Sequence, residues 1–397
     1  MTAALDVVLA IASLPLLAAC VYLALLALAS RRRPAPPSGD GSIFFHLVVP
    51  AHDEEAGIAS TVQSVVAVDY PRARFRVLVV ADNCSDQTAE RARGAGASVL
   101  VRDDLLHRGK GYALEYAFDA LLAHGPEGAV VVIDADTVVS PNLLAALAAR
   151  LEGGAAAAQV DYAVRNPQAS WRTRLMTLAL AMFHVLRSLG RENLGLSCGL
   201  RGNGMCFSTS LLRMIPHRAF SLVEDVEYGV RLGEAGHRVQ YVPEAHVYGE
   251  MVSAERASRS QRHRWEGGRL ALARERGPTL LRNAFMRRDP VLLDLAMDVL
   301  VPPLATLAIL VVAGFCASAL LYGRTPGLPL ALLSFGGCAA CLAGYVARGW
   351  VLSGTGVRGL LDLACAPGYV LWKLAVSVSR TKKQRDWVRT TREGPSV

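Results

Sequence analysis

Two aspartates that stand two positions apart, Asp134 and Asp136, directly follow an apolar run at residues 130–133. Their carboxylates are hard oxygen ligands, which suit Mg²⁺ or Mn²⁺ when a phosphate supplies further oxygens. A metal placed there would neutralise the negative charge that builds on a diphosphate leaving group. An Asp-x-Asp pair by itself is common and mostly structural, so the metal interpretation depends on its surroundings.

A second acidic pair, Glu224 and Asp225, heads a stretch that is predicted to be helical as far as Ala235. A carboxylate at a helix start ordinarily adds only dipole and capping stabilisation, roughly 0.3–1 kcal/mol. The alternative is that Asp225 acts as a general base, which takes the proton from an acceptor hydroxyl as it attacks. The sequence leaves both interpretations open.

A third group lies in residues 254–276, a stretch that the sequence predicts to be helical. Gln261, Arg264 and Trp265 stand at i, i+3 and i+4, so they share one helical face. The arginine could bind phosphate through charge-assisted hydrogen bonds, and the tryptophan offers a flat apolar wall to a sugar ring. The alternative is an amphipathic helix whose basic residues face a lipid surface.

These side chains need a scaffold that brings distant parts of the chain together, and apolar runs that alternate with helical stretches supply it. The predicted strands are residues 43–49, 75–80, 98–101 and 130–133, and the predicted helices between them are residues 55–68, 85–94 and 111–123. This alternation predicts a doubly wound α/β sheet with right-handed connections. Ligands of such sheets bind outside the carboxyl ends of the strands, which is where the acidic clusters fall.

Six motifs, taken in order, resemble the signature of family 2 inverting glycosyltransferases of the GT-A fold. They are Pro50-Ala51-His52-Asp53-Glu54-Glu55, Ala81-Asp82-Asn83, Gly109-Lys110-Gly111, Asp134-Ala135-Asp136, Glu224-Asp225 and Gln261-x-x-Arg264-Trp265. The resemblance spans residues 43–276 and implies a Rossmann-like mixed sheet. Similar enzymes include membrane-bound cellulose, hyaluronan and poly-N-acetylglucosamine synthases and ceramide glucosyltransferases.

The resemblance also implies a role for each matching residue. The residues that it assigns to the nucleotide sugar are Pro50, His52, Glu54, Asp82, Lys110 and Asp134, with Asp82 near the uracil or ribose. It assigns the metal, Mg²⁺ or Mn²⁺, to Asp136 and the catalytic base to Asp225, beside Glu224. Gln261, Arg264 and Trp265 would hold the diphosphate and the acceptor end, and the turn at residues 202–206 would lie beside the acceptor. One base and no protein nucleophile would give inversion.

Three apolar runs, at residues 5–29, 299–322 and 328–347, are each long enough to cross roughly 30 Å of hydrocarbon as a helix. Three arginines, at positions 31–33, follow the first run and favour the cytoplasmic side. A secretory signal is the weaker alternative, because this run lacks a positively charged start. Residues 357–379 could form a fourth crossing, but that would put the basic tail outside, so an interfacial helix is preferred.

The predicted organisation therefore has five parts. They are a membrane helix at residues 1–30, a linker at residues 31–42, a cytoplasmic GT-A domain at residues 43–290, two membrane helices at residues 291–350, and an interfacial helix with a basic tail at residues 351–397. The chain is expected to be a multi-pass protein of the inner (plasma) membrane.

The net charge of +8 does not indicate a nucleic-acid partner. Much of the positive excess lies beside the apolar runs, where anionic lipid headgroups are the natural partner, and no zinc-finger or RNA-binding pattern accompanies it. Trp387 and Arg389 belong to a tail that could fold back toward the active site or bind headgroups. His246 could reach the metal, although a structural histidine is the preferred interpretation.

The expected activity is transfer of a sugar from a UDP-sugar to a lipid or lipid-linked glycan acceptor at the cytoplasmic face of the membrane. A processive polysaccharide synthase is the alternative, and since three helices are few for a channel it would need a homo-oligomer or an export partner. A catalytically silent scaffold of an export complex is a different class of function, but every acidic residue that a working enzyme needs is present. A transporter would need more spanning helices.

Overall fold

A single mixed sheet organises the part of the chain that the structure describes. The computed structural model covers residues 2–37, 39–249, 255–322 and 329–364, and for residues 255–266 it describes the backbone only. In chain order the strands are β1 (Phe45–Ala51), β2 (Phe75–Asp82), β3 (Ser98–Arg102), β4 (Ala129–Val132), β5 (Thr137–Val139), β6 (Ala157–Val164), β7 (Met205–Ser208) and β8 (Val239–Gly249). They lie in the spatial order β3-β2-β1-β4-β7-β6-β8-β5.

Helices surround the sheet and extend beyond it. Those from the amino-terminal half are α1 (Thr2–Ala29), α2 (Ile58–Val66), α3 (Thr88–Gly94), α4 (Lys110–His124), α5 (Leu143–Glu152), α6 (Trp171–Leu180) and α7 (Arg187–Asn193), with a π-helical segment, Ala181–Leu186, between the last two. The others are α8 (Thr209–Met214), α9 (Glu224–Glu234), α10 (Glu255–Arg287), α11 (Pro290–Leu300), α12 (Leu304–Tyr322), α13 (Leu330–Ser353) and α14 (Gly356–Ala364).

The first four strands form the parallel half of the sheet, as the sequence predicts. β1 pairs in parallel with both β2 and β4, and β2 pairs in parallel with β3. In β4, Val131 packs on the face covered by α2, α3 and α5, whereas Val130 and Val132 pack on the face covered by α4, α8 and α9. A strand buried on both faces needs apolar residues at successive positions, which explains the unbroken valine run.

The other four strands make the sheet mixed. β7 is antiparallel to both β4 and β6, β8 is parallel to β6, and β5 is antiparallel to β8. The predicted doubly wound, mixed α/β class is confirmed. The sequence indicated strands near residues 202–206 and before His246 but gave no bounds for this half, and it predicted no helix over residues 171–193.

Two helices begin later than predicted, and the loops before them explain why. α2 begins at Ile58 rather than at residue 55, and α3 begins at Thr88 rather than at residue 85. The Glu55 backbone N–H donates to the carboxylate of Asp86 at 3.1 Å, and the Ser85 backbone N–H donates to that of Asp53 at 2.6 Å. These side chains bind amides of the neighbouring loop, so the two loops after β1 and β2 brace each other.

Among the residues that the structure describes, three helices are long and apolar enough to cross a membrane: Ala3–Ala29, Leu304–Tyr322 and Leu330–Ser353. The second was predicted from residue 299, but Pro302 and Pro303 separate α11 from α12, because two successive prolines lack backbone N–H donors and disfavour the helical conformation. The predicted interfacial segment is described only as far as α14, and the rest of residues 357–379 and the basic tail lie outside the described residues.

The membrane helices pack against one another in register. The Ser13 and Ser334 hydroxyls lie 2.6 Å apart, and the Asp6 carboxylate accepts a hydrogen bond from the backbone N–H of Leu330 at 3.1 Å. At the other end of the same pair, the Arg348 guanidinium donates to the Ser30 carbonyl at 2.6 Å. α1 and α13 are therefore parallel, and their carboxyl ends lie on the same side.

Gly190 of α7 makes a close backbone contact with α1. A Cβ here would lie 2.5 Å from the Leu26 carbonyl oxygen and 3.0 Å from the Leu26 Cα, and backbone atoms cannot rotate away. We expect Gly190→Ala to lower the free energy of unfolding by about 1–3 kcal/mol, as overpacking does. The measurement is the thermal midpoint in detergent micelles. Gly344→Ala is the control, because nothing lies within 4 Å of its added methyl; equal midpoints for the two variants would contradict the close contact.

Candidate active site

The ammonium group of Lys110, at the start of α4, joins three parts of the chain that are far apart in sequence. Its Nζ donates to Asp134 Oδ1 at 2.5 Å and to the Gly202 carbonyl at 2.5 Å. It also lies 3.9 Å from Oε1 of Glu224, the first residue of α9. Three of the predicted site residues therefore meet around one cation.

Asp225 belongs to the same cluster. Gly202 has a φ of +77°, which favours glycine, and a Cβ at this position would lie 3.5 Å from Asp225 Oδ2 and 3.5 Å from Lys110 Nζ. The turn thus packs its backbone directly against the carboxylate and the ammonium group. A side chain at Gly202 would fill the space between them.

A chain of hydrogen bonds holds this turn in place. The Asn203 side chain accepts from the backbone N–H of Asp134 at 3.1 Å and donates to the Thr137 hydroxyl at 2.8 Å. Gln159 of β6 donates to the Asn203 carbonyl at 2.7 Å and accepts from the Arg201 backbone N–H at 2.9 Å. Asn203 and Gln159 are both buried, so their amides fix the turn against β4 and β6.

Burial and neighbouring charges shift the protonation of the cluster. Burial raises the pKa of Glu224, the adjacent charge of Asp225 raises it further, and together they bring it to about 7 although Lys110 opposes them. Burial also raises the pKa of Asp225, while a backbone hydrogen bond and the charge of Lys110 oppose that shift. Burial lowers the pKa of Lys110, but the charges of Asp134 and Glu224 together outweigh it and raise that pKa. A carboxylate with a raised pKa is a stronger base, which suits proton abstraction.

A second group of predicted site residues lies at the ends of β1 and β2. His52 Nδ1 is 2.7 Å from the Asp82 carbonyl oxygen, and Asp82 Oδ1 accepts hydrogen bonds from Arg102 Nη1 at 2.7 Å and from Asn83 Nδ2 at 3.0 Å. Arg102 ends β3, and its guanidinium lies 5.9 Å from the ring centre of Tyr112 in the first turn of α4. Arg102 was not among the predicted site residues, although its place at the carboxyl end of a predicted strand is where ligands of such sheets bind.

The remaining predicted nucleotide residues lie beside this group. Pro50 is the next-to-last residue of β1 and is half-buried, and Glu54 follows in the loop, where its backbone N–H donates to the Thr88 hydroxyl at 2.7 Å. Within the described residues, three side chains could together hold a metal: Asp53, Cys84 and Asp86, whose ligand atoms lie within 4.8 Å of one another. Both of these carboxylates already accept backbone hydrogen bonds between the loops, and a thiol is a poor ligand for Mg²⁺.

Asp136 offers a simpler fit for a hard cation. It lies between β4 and β5 and is half-buried, and its Oδ1 is 3.5 Å from the Thr137 hydroxyl. The Thr61 hydroxyl donates to the Ala135 carbonyl at 2.8 Å and so fixes the loop. Partly exposed carboxylate oxygens at the end of a strand suit a divalent metal that takes its other ligands from phosphate and water. The assignment of the metal to Asp136 stays a prediction.

The other predicted residues lie elsewhere in the fold or outside the described residues. Gln261, Arg264 and Trp265 fall in α10, which runs Glu255–Arg287 rather than over residues 254–276, but their side chains are outside the described part of the structure. The tail with Trp387 is outside it as well. His246 lies on β8, with Nδ1 3.0 Å from Asp161 Oδ2, which agrees with the structural interpretation of this histidine.

Comparison with known sequences identifies similar proteins. A family model described as "Glycosyltransferase like family 2" matches residues 42–268. The probable glycosyltransferase YdaM of Bacillus subtilis is 24% identical over 231 residues, which are 56% of this chain and 54% of that protein. The beta-monoglucosyldiacylglycerol synthase of Synechocystis sp. is 29% identical over 248 residues, 59% of this chain and 51% of that protein. The chain spans about half the length of these curated relatives.

One solved structure resembles the whole described architecture. The mannosyltransferase PcManGT from Pyrobaculum calidifontis, solved in complex with GDP-Man and Mn²⁺, aligns with a TM-score of 0.51 and 18% identity. The alignment covers 91% of this chain and 99% of that chain. At this identity the likeness shows the fold alone.

The raised pKa of Glu224 predicts how stability depends on pH. The carboxyl has an ordinary pKa of 4.5 and one of about 7 in the folded chain, so the unfolded chain ionises first and stability falls as pH rises from 4.5 to 7. We expect Glu224→Gln to raise the thermal midpoint relative to wild type above pH 7 and to leave it unchanged below pH 4.5. Glu275→Gln is the control, because the Glu275 side chain is 74% exposed. A midpoint difference that does not vary with pH would be inconsistent with the buried carboxyl.

Proposed function

The chain belongs to glycosyltransferase-like family 2 and has the GT-A fold, and on that premise we propose that it transfers a sugar from a UDP-sugar, with inversion, to a lipid or lipid-linked acceptor. The family assignment confirms the prediction of a glycosyltransferase enzyme. One observation carries the finer proposal: Lys110, Asp134, Glu224 and Asp225 converge on the Gly202 turn, although they come from three separate parts of the chain.

The donor occupies the carboxyl ends of β1, β2 and β4 in this proposal. Pro50, His52, Glu54 and Asp82 line the nucleotide end, where Arg102 fixes the Asp82 carboxylate. Lys110 and Asp134 lie toward the diphosphate and the sugar. Asp136 would hold Mg²⁺ or Mn²⁺, and the metal, when bound, neutralises the charge of the leaving diphosphate. Mn²⁺ accompanies the nucleotide sugar in the mannosyltransferase of the same fold.

Asp225 is the proposed base. The acceptor oxygen attacks the anomeric carbon as its proton passes to the Asp225 carboxylate, and the bond from that carbon to the diphosphate oxygen breaks on the opposite face. One displacement without a protein nucleophile inverts the anomeric centre. Burial raises the pKa of Asp225, and the charge of Lys110 opposes that shift. Gln261, Arg264 and Trp265 are proposed to hold the diphosphate and the acceptor end.

A lipid acceptor is the proposal that the surroundings of the site favour. α7 contacts the membrane helix α1, and the π-helical segment beside it contacts α13. Apolar helices therefore adjoin the segment that leads to the Gly202 turn, which the family resemblance assigns to the acceptor. One relative is a synthase that makes a glucosyldiacylglycerol, which is a glycolipid. A lipid hydroxyl can reach such a site without leaving the membrane surface.

The membrane placement is part of the same proposal. Arg31, Arg32 and Arg33 follow α1, and Arg348 lies near the end of α13, on the side where the helices meet the α/β domain. Positive charge at this side favours the cytoplasmic face of the inner membrane. The family match falls almost entirely inside the predicted catalytic domain, residues 43–290, whose boundaries stay a prediction.

Replacement of the base tests the mechanism. We expect Asp225→Asn to lower the rate of UDP release by roughly 10²–10⁴-fold, the usual contribution of a general base, while the affinity for the UDP-sugar is retained. The measurement is metal-dependent UDP release by the full chain in detergent with a panel of UDP-sugars. Asp119→Asn, at an exposed position of α4, is the control and keeps the wild-type rate. A wild-type rate in Asp225→Asn would refute the assignment.

Replacement of the metal ligand tests the cofactor separately. Asp136→Ala should abolish the increase in UDP release that Mn²⁺ or Mg²⁺ gives, with the thermal midpoint of the metal-free protein unchanged. Mass spectrometry of the products formed in membranes from each UDP-sugar then identifies the acceptor. A single hexose on a lipid supports the proposal, and a long glycan would instead support a processive synthase.

A further inference from the structure

A buried cluster of arginines adjoins the proposed base and has no part in the mechanism described so far. Four guanidiniums surround the carboxylate of Asp298 in α11. Asp298 Oδ1 lies 2.8 Å from Arg191, 3.3 Å from Arg187 and 3.7 Å from Arg269, and its Oδ2 lies 3.9 Å from Arg201. The arginines come from α7, from the loop before β7 and from α10, so the fold assembles the cluster from distant segments.

The carboxylates in contact with this cluster do not balance its charge. Only one other carboxylate, that of Asp294, contacts it among the described residues, and it binds Arg191 and the hydroxyl of Tyr22. Four positive charges therefore meet two negative charges. The positive charges remain in excess even if the Asp225 carboxylate is counted as a third negative charge. Buried charges are stable only when they are paired and hydrogen-bonded. The cluster has capacity for an anion.

Arg201 is the least satisfied member. Its side chain is 3% exposed, and its Nη2 donates to the Cys198 carbonyl at 3.2 Å. Its Nε is buried and has no hydrogen-bond partner among the described residues. Burial lowers the pKa of Arg201, and the charges of Arg191 and Arg269 lower it further against the opposing charge of Asp298. A guanidinium does not lose its proton in a protein, so the lowered pKa reflects a buried charge that Asp298 does not fully compensate.

The cluster is open on one side. The guanidiniums of Arg201, Arg187 and Arg269 lie 4.7, 4.8 and 5.0 Å from the ring centre of Phe183. Phe183 is only half-buried, and the Arg269 side chain is 20% exposed. An anion that approaches along Arg269 and the Phe183 ring would therefore meet the buried guanidiniums behind them.

The position of the cluster connects the membrane with the base. Arg201 directly precedes Gly202, where an added Cβ would lie 3.5 Å from Asp225 Oδ2. On the other side, the Arg187 Nε donates to the hydroxyl of Tyr345 in α13 at 3.0 Å, and Arg191 donates to that of Tyr22 in α1 at 2.6 Å. A group bound here would lie between the apolar helices and the site of proton transfer.

We propose that Arg201 and Arg269, with Arg187 behind them, bind a phosphate group and hold the molecule that carries it beside Asp225. Guanidinium groups match phosphate oxygens through paired, charge-assisted hydrogen bonds. The phosphate belongs to an anionic lipid headgroup or to a free soluble phosphate, which the test distinguishes. The inference rests on the proposed function in one respect: it makes the bound molecule an acceptor or an activator of the same site.

The test measures binding without turnover. The full chain is placed in nanodiscs of phosphatidylcholine, and its thermal midpoint is measured in three series. In two of them phosphatidylglycerol or diacylglycerol replaces part of the phosphatidylcholine, and in the third inorganic phosphate is added. A ligand that binds only the folded state raises the midpoint in a saturable way. We expect phosphatidylglycerol or inorganic phosphate to do this and diacylglycerol to have no effect. Phosphatidylglycerol alone identifies a headgroup, and inorganic phosphate alone identifies a soluble anion.

Two arginine variants decide whether this cluster is the site. We expect Arg201→Gln and Arg269→Gln each to weaken the apparent affinity by on the order of tenfold, the loss of one charge-assisted hydrogen bond. Arg269 is the more exposed and keeps the test valid if Arg201→Gln does not fold. Arg282→Gln, at an exposed position of the same helix α10, is the matched control and keeps wild-type affinity.

The opposite results overturn the proposal. One is a wild-type thermal midpoint that neither phosphatidylglycerol nor inorganic phosphate changes, or that diacylglycerol changes equally. The other is an Arg269→Gln variant that binds the phosphate ligand as tightly as Arg282→Gln does. UDP release is measured separately on the same samples. A chain that binds phosphate but releases no UDP would refute the proposed function and leave this site intact, and the reverse result would refute the site alone.

Discussion

The ammonium group of Lys110 is shared by the end of β4, the turn before β7 and the start of α9. Each of these segments carries a polar group that is costly to bury without a partner: the Asp134 carboxylate, the Gly202 carbonyl and the Glu224 carboxylate. One cation satisfies all three. The first turn of α4 therefore has to lie where these segments meet, and this constraint fixes the arrangement of the carboxylates around the proposed diphosphate site.

The mixed half of the sheet supports the turn at residues 201–204. The antiparallel pairing of β7 with β4 places this turn next to Asp134, and the Gly204 backbone N–H donates to the Val132 carbonyl at 2.8 Å. The same turn carries Arg201, which reaches the Asp298 cluster beneath α1 and α13. A few residues thus join the proposed base on one side to the membrane helices on the other.

The sequence was sufficient for the parallel half of the sheet, because strict alternation of buried strands and helices leaves few topologies. It was the family resemblance that singled out Lys110 beside the acidic residues. The sequence was insufficient where a pattern has two physical meanings. Arg187 and Arg191, on a helix with polar neighbours, look like surface residues, and only the fold shows that they are buried against α11. Asp53 and Asp86 look like site residues, but they hold two loops together through hydrogen bonds. The distance between those loops cannot be predicted from the periodicity of the sequence.

The central claim is that separate segments are held together through Lys110, and a double-mutant cycle measures it directly. The free energy of unfolding is determined for wild type, Lys110→Met, Asp134→Asn and the double variant at neutral pH. A contact of 2.5 Å in a partly buried site predicts a coupling energy above about 1 kcal/mol, so the double variant loses less than the sum of the single losses. Additive losses would contradict the account.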